Sequence, residues 1–176
     1  AVAAFGAYFK LQSFIFMPVF GMDNGIVPII AYNYGAQNRK RLDETMRLSV
    51  IYGIAMMTIG MFIFWTIPHV LLGFFSASPE LMKIGTVELR IISLAFPLAG
   101  YSIMLGGVFQ ALGKSVYSMY VSIVRQLIVL LPAAYFLSKL GNIDYVWLSF
   151  VFAELFGLSM SIIYTRKIKK DIINQL

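Results

Sequence analysis

Long apolar stretches separated by short polar segments dominate this chain of 176 residues. A helix needs about 20 consecutive apolar residues to cross the hydrocarbon core of a bilayer. Five stretches reach that length, and the polar segments between them are too short to form another domain. The pattern predicts an all-α, polytopic membrane helix bundle with spans at about residues 2–34, 48–75, 84–112, 116–137 and 145–165.

The first span is long for one crossing, so it must tilt, kink or project beyond the bilayer. It ends in the polar aromatic sequence Tyr32-Asn33-Tyr34-Gly35-Ala36, which is followed by the basic run Arg39-Lys40-Arg41. Tyrosines are enriched at the membrane interface, and basic residues are retained on the cytoplasmic side. This stretch is therefore predicted to be the cytoplasmic end of the first span.

The composition agrees with a bilayer protein and argues against an enzyme. The chain is 60% hydrophobic and 12% charged, whereas soluble domains carry about 25% charged residues. It has no cysteine and one histidine, His69, so thiolate chemistry and cysteine-ligated metal are excluded. We predict no catalytic, metal or cofactor site in these residues.

The basic residues predict the orientation. One side of the membrane receives nine of them: Arg39, Lys40, Arg41, Arg47, Lys114, Arg166, Lys167, Lys169 and Lys170. The other side receives Lys83 and Lys139. The positive-inside rule then places the C-terminus in the cytoplasm and the first residue outside. Because the basic residues cluster at the ends of spans, they are expected to contact anionic lipid and not nucleic acid. A chain that starts outside the membrane without a visible signal peptide is expected to be a fragment.

Five of the six prolines fall inside the predicted spans, at Pro18, Pro28, Pro68, Pro97 and Pro132. Proline removes a helix hydrogen bond, which the bilayer tolerates where neighbours or cavity water satisfy the freed carbonyl. Proline is also simply commoner in membrane helices. We favour broken or bending helices around a polar cavity, as transporters use.

Arg125 and Glu154 lie near the middle of the fourth and fifth spans, where charges are costly and often functional. In a hairpin that turns near Gly141, the residue level with Arg125 is roughly 157, so Glu154 is about one turn away. The two side chains are expected within reach of each other. They form either a structural ion pair or a site at which Glu154 exchanges protons.

Asp23 and Asn24 lie in the first span ahead of Pro28. Asp23 either binds a cation or proton or caps a broken helix. Further polar residues of the spans line a path or hydrogen-bond between helices; the candidates are Asn33, Tyr101, Gln110 and Gln126.

Several sequences, in order, resemble the second half of a bacterial multidrug and toxin extrusion (MATE) transporter. They are Pro28-Ile-Ile-Ala-Tyr-Asn-Tyr-Gly-Ala36 with its basic link, Phe109-Gln-Ala-Leu-Gly-Lys114, Arg125-Gln126 with Pro132, and Trp147 with Ala153-Glu154. They resemble parts of helices eight, ten, eleven and twelve of that family. The resemblance extends over nearly all of residues 1–176.

The resemblance implies twelve helices in two lobes in the bacterial cytoplasmic membrane, with this chain forming a partial second lobe. It implies export of organic cations and other amphipathic toxins, by alternating access, in exchange for H⁺ or Na⁺. The missing first lobe of the same polypeptide is the implied partner. Some sodium-coupled members of that family use carboxylates in the seventh and tenth helices. The chain departs from them, because its third span, which resembles the tenth helix, has no acid between Arg90 and Leu112.

Three alternatives remain open. A lipid-linked sugar or peptidoglycan-precursor flippase of the same superfamily should have more buried cations than Lys10, Arg90 and Arg125. A membrane-embedded transferase needs clustered aspartates or a catalytic histidine, and neither is apparent. A purely structural membrane subunit does not explain the prolines and charges inside the spans.

Overall fold

The computed structural model describes residues 2–75 and 78–175, and these residues form helices joined by short turns. The helices are α1 (Val2–Gly35), α2 (Arg39–Thr66), α3 (Pro68–Gly73), α4 (Pro79–Ser93), α5 (Phe96–Ala111), α6 (Ser115–Ile123), a π-helical segment (Val124–Leu130), α7 (Leu131–Ser138), α8 (Ile143–Asp171) and a 3₁₀ turn (Ile173–Gln175). No strand occurs in the described ranges, so the predicted all-α class is confirmed.

Four helical stretches are long and apolar enough to cross a membrane, and a bent pair makes a fifth. The four stretches are Ala3–Gly35, Arg39–Thr66, Ser115–Ser138 and Ile143–Gln175. The fifth consists of α4 and α5, whose axes differ by 48°. The bend lies at Leu94 and Ala95, just ahead of Pro97.

The second span begins and ends earlier than the sequence pattern predicts. Helix α2 begins at Arg39, inside the predicted link, because the Asn38 side chain accepts the Arg41 backbone N–H at 3.2 Å and caps the helix. Leu42 and Met46 lie one turn apart and are buried, so even this polar stretch has an apolar packing face. The predicted link before the third span includes residues 76 and 77, which lie outside the described residues.

The prolines occupy three kinds of position. Pro18 and Pro28 lie inside the continuous helix α1, so neither proline breaks the first span. The alternative that Asp23 caps a helix end is wrong for the same reason. Pro68, Pro79 and Pro97 stand in the first turns of α3, α4 and α5, where the missing N–H has no intrahelical role. Pro132 lies at the start of α7, which continues directly from the π-helical segment.

Helix α5 is the centre of the bundle and contacts α1, α2, α6 and α8. It approaches α2 very closely, since a Cβ atom at Gly100 would lie 2.6 Å from the carbonyl oxygen of Gly53. Small residues allow such close contact between membrane helices. A buried cluster including Tyr8, Phe96 and Trp147 fills the bundle where α1 begins, and a second cluster, including Ile30 and Ile168, fills the other end.

Helix α8 packs antiparallel against the span Ser115–Ser138, which contains the π-helical segment. The π-helical segment ends just before the turn that holds Pro132. Proline clashes with the carbonyl four residues earlier, and a wider turn relieves that clash. Arg125 lies within this segment.

Candidate functional site

A polar cavity of about 160 Å³ lies between α1, α5, α6, the π-helical segment and α8. Each of these elements contributes at least one polar side chain to its wall. The polar lining consists of Asp23, Ser102, Gln110, Ser118, Ser122, Arg125 and Ser161. We call this space the Asp23 cavity.

Asp23 lies against the backbone of α5. A Cβ atom at Gly107 would overlap the Asp23 carboxylate, so only glycine allows the acid to sit this close to α5. The Asp23 Oδ1 atom is buried and has no hydrogen-bond partner among the described residues. An unpaired buried acceptor costs about 1–3 kcal/mol, a cost that a proton, a cation or an ordered water in the cavity would offset.

Two serines of the cavity wall also have a buried oxygen atom without a hydrogen-bond partner among the described residues. The two atoms are the hydroxyl oxygens of Ser102 and Ser161. Serine hydroxyls and carboxylates are suitable ligands for water and for hard cations. The cavity wall therefore contains three buried oxygen atoms without a partner among the described residues.

Arg125 forms the positive wall of the cavity and is paired with Glu154. The Arg125 Nη1 atom donates to Glu154 Oε1 at 3.0 Å and to Oε2 at 3.2 Å. The two side chains are 24% and 15% exposed, so the pair is largely shielded. A Cβ atom at Gly157 would lie 3.2 Å from Arg125 Cδ, so the arginine stem occupies the space that glycine leaves on α8.

The charges of this region do not balance. The Arg125 guanidinium is compensated by the Glu154 carboxylate, whereas the Asp23 carboxyl has no cationic partner among the described salt bridges. With both acids ionised, the site carries one uncompensated negative charge in a region shielded from solvent. Such a site attracts a monovalent cation or a proton.

The structure brings together Asp23, Gln110 and Arg125 in the cavity wall, with Glu154 joined to them through Arg125. The other predicted residues lie elsewhere. Asn24 and Gln126 are exposed, and Asn33 donates from Nδ2 to the carbonyl of Ile29 at 2.9 Å. Tyr101 lines a separate cleft with Asp43, Arg47 and Lys169.

Sequence reasoning missed Ser118, Ser122 and Ser161 of the cavity wall and the buried acid Glu88. Ser118 and Ser122 are four residues apart, and Ser161 follows Gly157 by four, so helical spacing gave a usable signal. Glu88 gave none, because its burial depends on packing by other helices. Within the described ranges, no group of three or more histidine, cysteine, aspartate or glutamate residues is placed to hold a metal ion.

Comparisons with known proteins agree with this architecture. The MatE family model matches residues 1–136. The multidrug export protein MepA of Staphylococcus haemolyticus is 26% identical over 167 residues, which cover 94% of this chain and 36% of MepA. MepA of Staphylococcus aureus strain MSSA476 is 25% identical over 154 residues, which cover 88% of this chain and 34% of that MepA. The chain thus spans about a third of the length of the curated relatives it matches.

Solved transporters share the fold. The MATE multidrug transporter DinF-BH, in complex with R6G, superposes with a TM-score of 0.86 and 27% identity, over 98% of this chain and 38% of DinF-BH. A mutant of the Vibrio cholerae MATE transporter VcmN superposes with a TM-score of 0.90, over 99% of this chain and 40% of VcmN. At 17% sequence identity, this similarity shows the fold alone. Since the family model matches most of its residues, the chain belongs to the MatE family, a family of transporters and not of enzymes.

Proposed function

We propose that this chain is part of the second lobe of a secondary multidrug exporter in the bacterial cytoplasmic membrane. The full protein exports organic cations and other amphipathic toxins by alternating access, in exchange for H⁺ or Na⁺. The first lobe of the same polypeptide supplies the other half of the drug pathway. The C-terminus and the link Ala36–Asn38 face the cytoplasm, where the basic residues are retained.

The observation that carries the proposal is the unpaired Asp23 oxygen in a polar cavity beside the Arg125–Glu154 pair. A coupling site has to bind a cation in one state and release it in another. Asp23 supplies the negative charge, and the serine hydroxyls supply further oxygen ligands. Arg125 sets the local potential and is itself held by Glu154.

The size of the cavity favours a coupling ion over a drug. Its volume of about 160 Å³ corresponds to about five water molecules at roughly 30 Å³ each. Pockets for drug-sized ligands are about 300–1,000 Å³. The drug therefore binds elsewhere, and the cavity is left for the ion.

The exposed face of α1 is the drug surface that we propose. Phe14 and Met17 are 71% and 67% exposed, and Phe9 on the same helix is 61% exposed. Aromatic rings bind organic cations, and methionine adapts to ligands of varied shape. Phe20 is half exposed and also lines the Asp23 cavity, so the drug surface and the ion cavity share a wall.

The flippase alternative gains no support from the charges. A pyrophosphate headgroup needs cations that are free to bind it. The guanidinium of Arg125 is already paired with Glu154, and Lys10 and Arg90 lie on exposed positions of α1 and α4.

The test is ethidium efflux from pump-deficient bacteria that express the full-length parent. We expect extrusion that stops when the gradient of the coupling ion is collapsed, with proton and sodium ionophores applied separately to identify the ion. Asp23→Asn removes the charge from the cavity and should abolish coupled efflux. Asp171→Asn, at an exposed position of α8, is the matched control and should retain it.

Two outcomes would count against the proposal. Equal efflux by Asp23→Asn and the control would remove the cavity from the coupling mechanism. Failure to extrude any tested cation, despite good expression, would instead favour transport of a lipid-linked precursor.

A further inference from the structure

Glu88 of α4 is fully enclosed by the protein. Its side chain is 0% exposed, and both carboxylate oxygens are buried with no hydrogen-bond partner among the described residues. It lies outside the Asp23 cavity, whose wall contains no residue of α4. The account of ion coupling given above makes no use of it.

The surroundings of Glu88 are apolar. Its neighbours in sequence, Leu89 and Ile92, belong to the buried cluster that also contains Tyr8 and Trp147. The Trp147 indole N–H is likewise buried without an acceptor, so it is not bonded to Glu88. The bundle around this carboxyl group thus provides neither a hydrogen bond nor an ion pair.

The charged and titratable groups of the packed elements do not neutralise it. Helix α1 brings Tyr8, which is within electrostatic range of Glu88, and Lys10, which is exposed. Helix α8 brings Glu154, whose partner is Arg125. The amino terminus of the chain is also within electrostatic range of Glu88. The remaining titratable groups on α3, α4 and the start of α8 are His69, Glu80, Lys83, Arg90, Asp144 and Tyr145, and all but Asp144 are exposed.

The Glu88 side chain has no accessible surface in this structure. A carboxylate left ionised there would lose its hydration and gain nothing in return. A protonated carboxyl avoids most of that cost.

We propose that Glu88 holds a proton in this conformation and is a second proton-binding site of the transporter, separate from the Asp23 cavity. Its protonation rests on burial alone, whereas its part in transport rests on the function proposed above. Release of the proton requires water to reach the carboxyl. The bend between α4 and α5 at Leu94 and Ala95 is the place where α4 can move away from α1 and α8.

Infrared spectroscopy of the full-length parent in lipid at neutral pH tests the protonation directly. Protonated carboxyl groups absorb at a carbonyl frequency that carboxylates lack. We expect Glu88→Gln to lose part of this band. Glu80→Gln, on an exposed first-turn position of the same helix, should leave the band unchanged. An unchanged band in Glu88→Gln would overturn the proposal.

A second variant guards against misfolding. Glu88→Met has a similar shape without polar atoms, and it should fold and lose the same band, because the acid it replaces is neutral.

The transport role is tested by counting protons moved per drug in proteoliposomes, where Glu88→Gln should lower the ratio. An unchanged ratio would overturn that role. Absence of gradient-driven efflux in the parent would contradict the proposed function while leaving the infrared result intact.

Discussion

Two glycines decide where the charged side chains of the site lie. Gly107 leaves room for the Asp23 carboxylate, and Gly157 leaves room for the stem of Arg125. In both places the missing side chain is replaced by a charged group from a neighbouring helix. The glycines thus act as packing positions that also form the site.

Gly107→Ala should destabilise the parent protein by about 1–3 kcal/mol, since an added methyl group in a packed interior forces neighbouring atoms apart. It should also reduce efflux, because the atom displaced is the Asp23 carboxylate. Gly73→Ala is the control, because a new Cβ there meets no atom within 4 Å and the position lies outside the cavity. Thermal unfolding in detergent, combined with ethidium efflux, measures both effects. Equal effects at the two positions would contradict this packing.

The Arg125–Glu154 pair should behave as one energetic unit. Arg125→Ala and Glu154→Ala each leave a charged partner in a shielded site, and each should lower stability. The double variant should be little worse than the more damaging single one, with a coupling energy of about 0.5–3 kcal/mol. A double-mutant cycle from thermal unfolding measures it. Strict additivity of the two single effects would show that the contact contributes nothing.

The π-helical segment is the irregular element on which the site depends. It contains Arg125 and precedes Pro132, whose ring is incompatible with a regular helix at that point. Insertions of this kind are frequent at functional sites. Arg125, within this segment, lines the cavity and pairs with Glu154 of α8.

Pro132→Ala should let the segment relax into a regular α-helix and lose the extra residue of the wide turn. One residue corresponds to about 100° of rotation, which would carry Arg125 away from Glu154. We expect efflux to fall toward that of Arg125→Ala while the protein remains folded. Pro79→Ala, in the first turn of α4, should leave efflux unchanged. Normal efflux by Pro132→Ala would show that the proline does not position Arg125.

The elements could be predicted from the sequence better than their irregularities. Hairpin geometry predicted that Arg125 would lie level with residue 157, and the two residues are in contact. The continuity of α1 through Pro18 and Pro28 was not predictable, because neighbouring helices decide whether a proline bends a helix. The burial of Glu88 likewise depends on helices far away in sequence.

At the scale of the whole molecule, this chain corresponds to about a third of the length of its relatives. It covers 36% of one MepA relative and 38% of DinF-BH. Large apolar side chains remain exposed along α1, which suits a helix that meets either lipid or the rest of the protein. The proposed drug pathway therefore needs the full polypeptide.

The proposed orientation predicts which loops a water-soluble reagent can reach. The chain has no cysteine, so single cysteines can be introduced into a parent made cysteine-free elsewhere. Asn38→Cys should react with an impermeant maleimide only after the cells are opened. Asn142→Cys should react in intact cells. The reverse pattern would invert the orientation inferred from the basic residues.

The central claim is that the Asp23 cavity binds the coupling ion and shares a wall, at Phe20, with the proposed drug surface, so that drug and ion compete. Ethidium affinity of the purified parent, measured over a range of pH and Na⁺ concentration, tests it most directly, because binding linkage is reciprocal. We predict that affinity falls as the coupling ion is added, and that Asp23→Asn removes this dependence while Asp171→Asn keeps it. The same dependence in Asp23→Asn as in the parent would contradict the account.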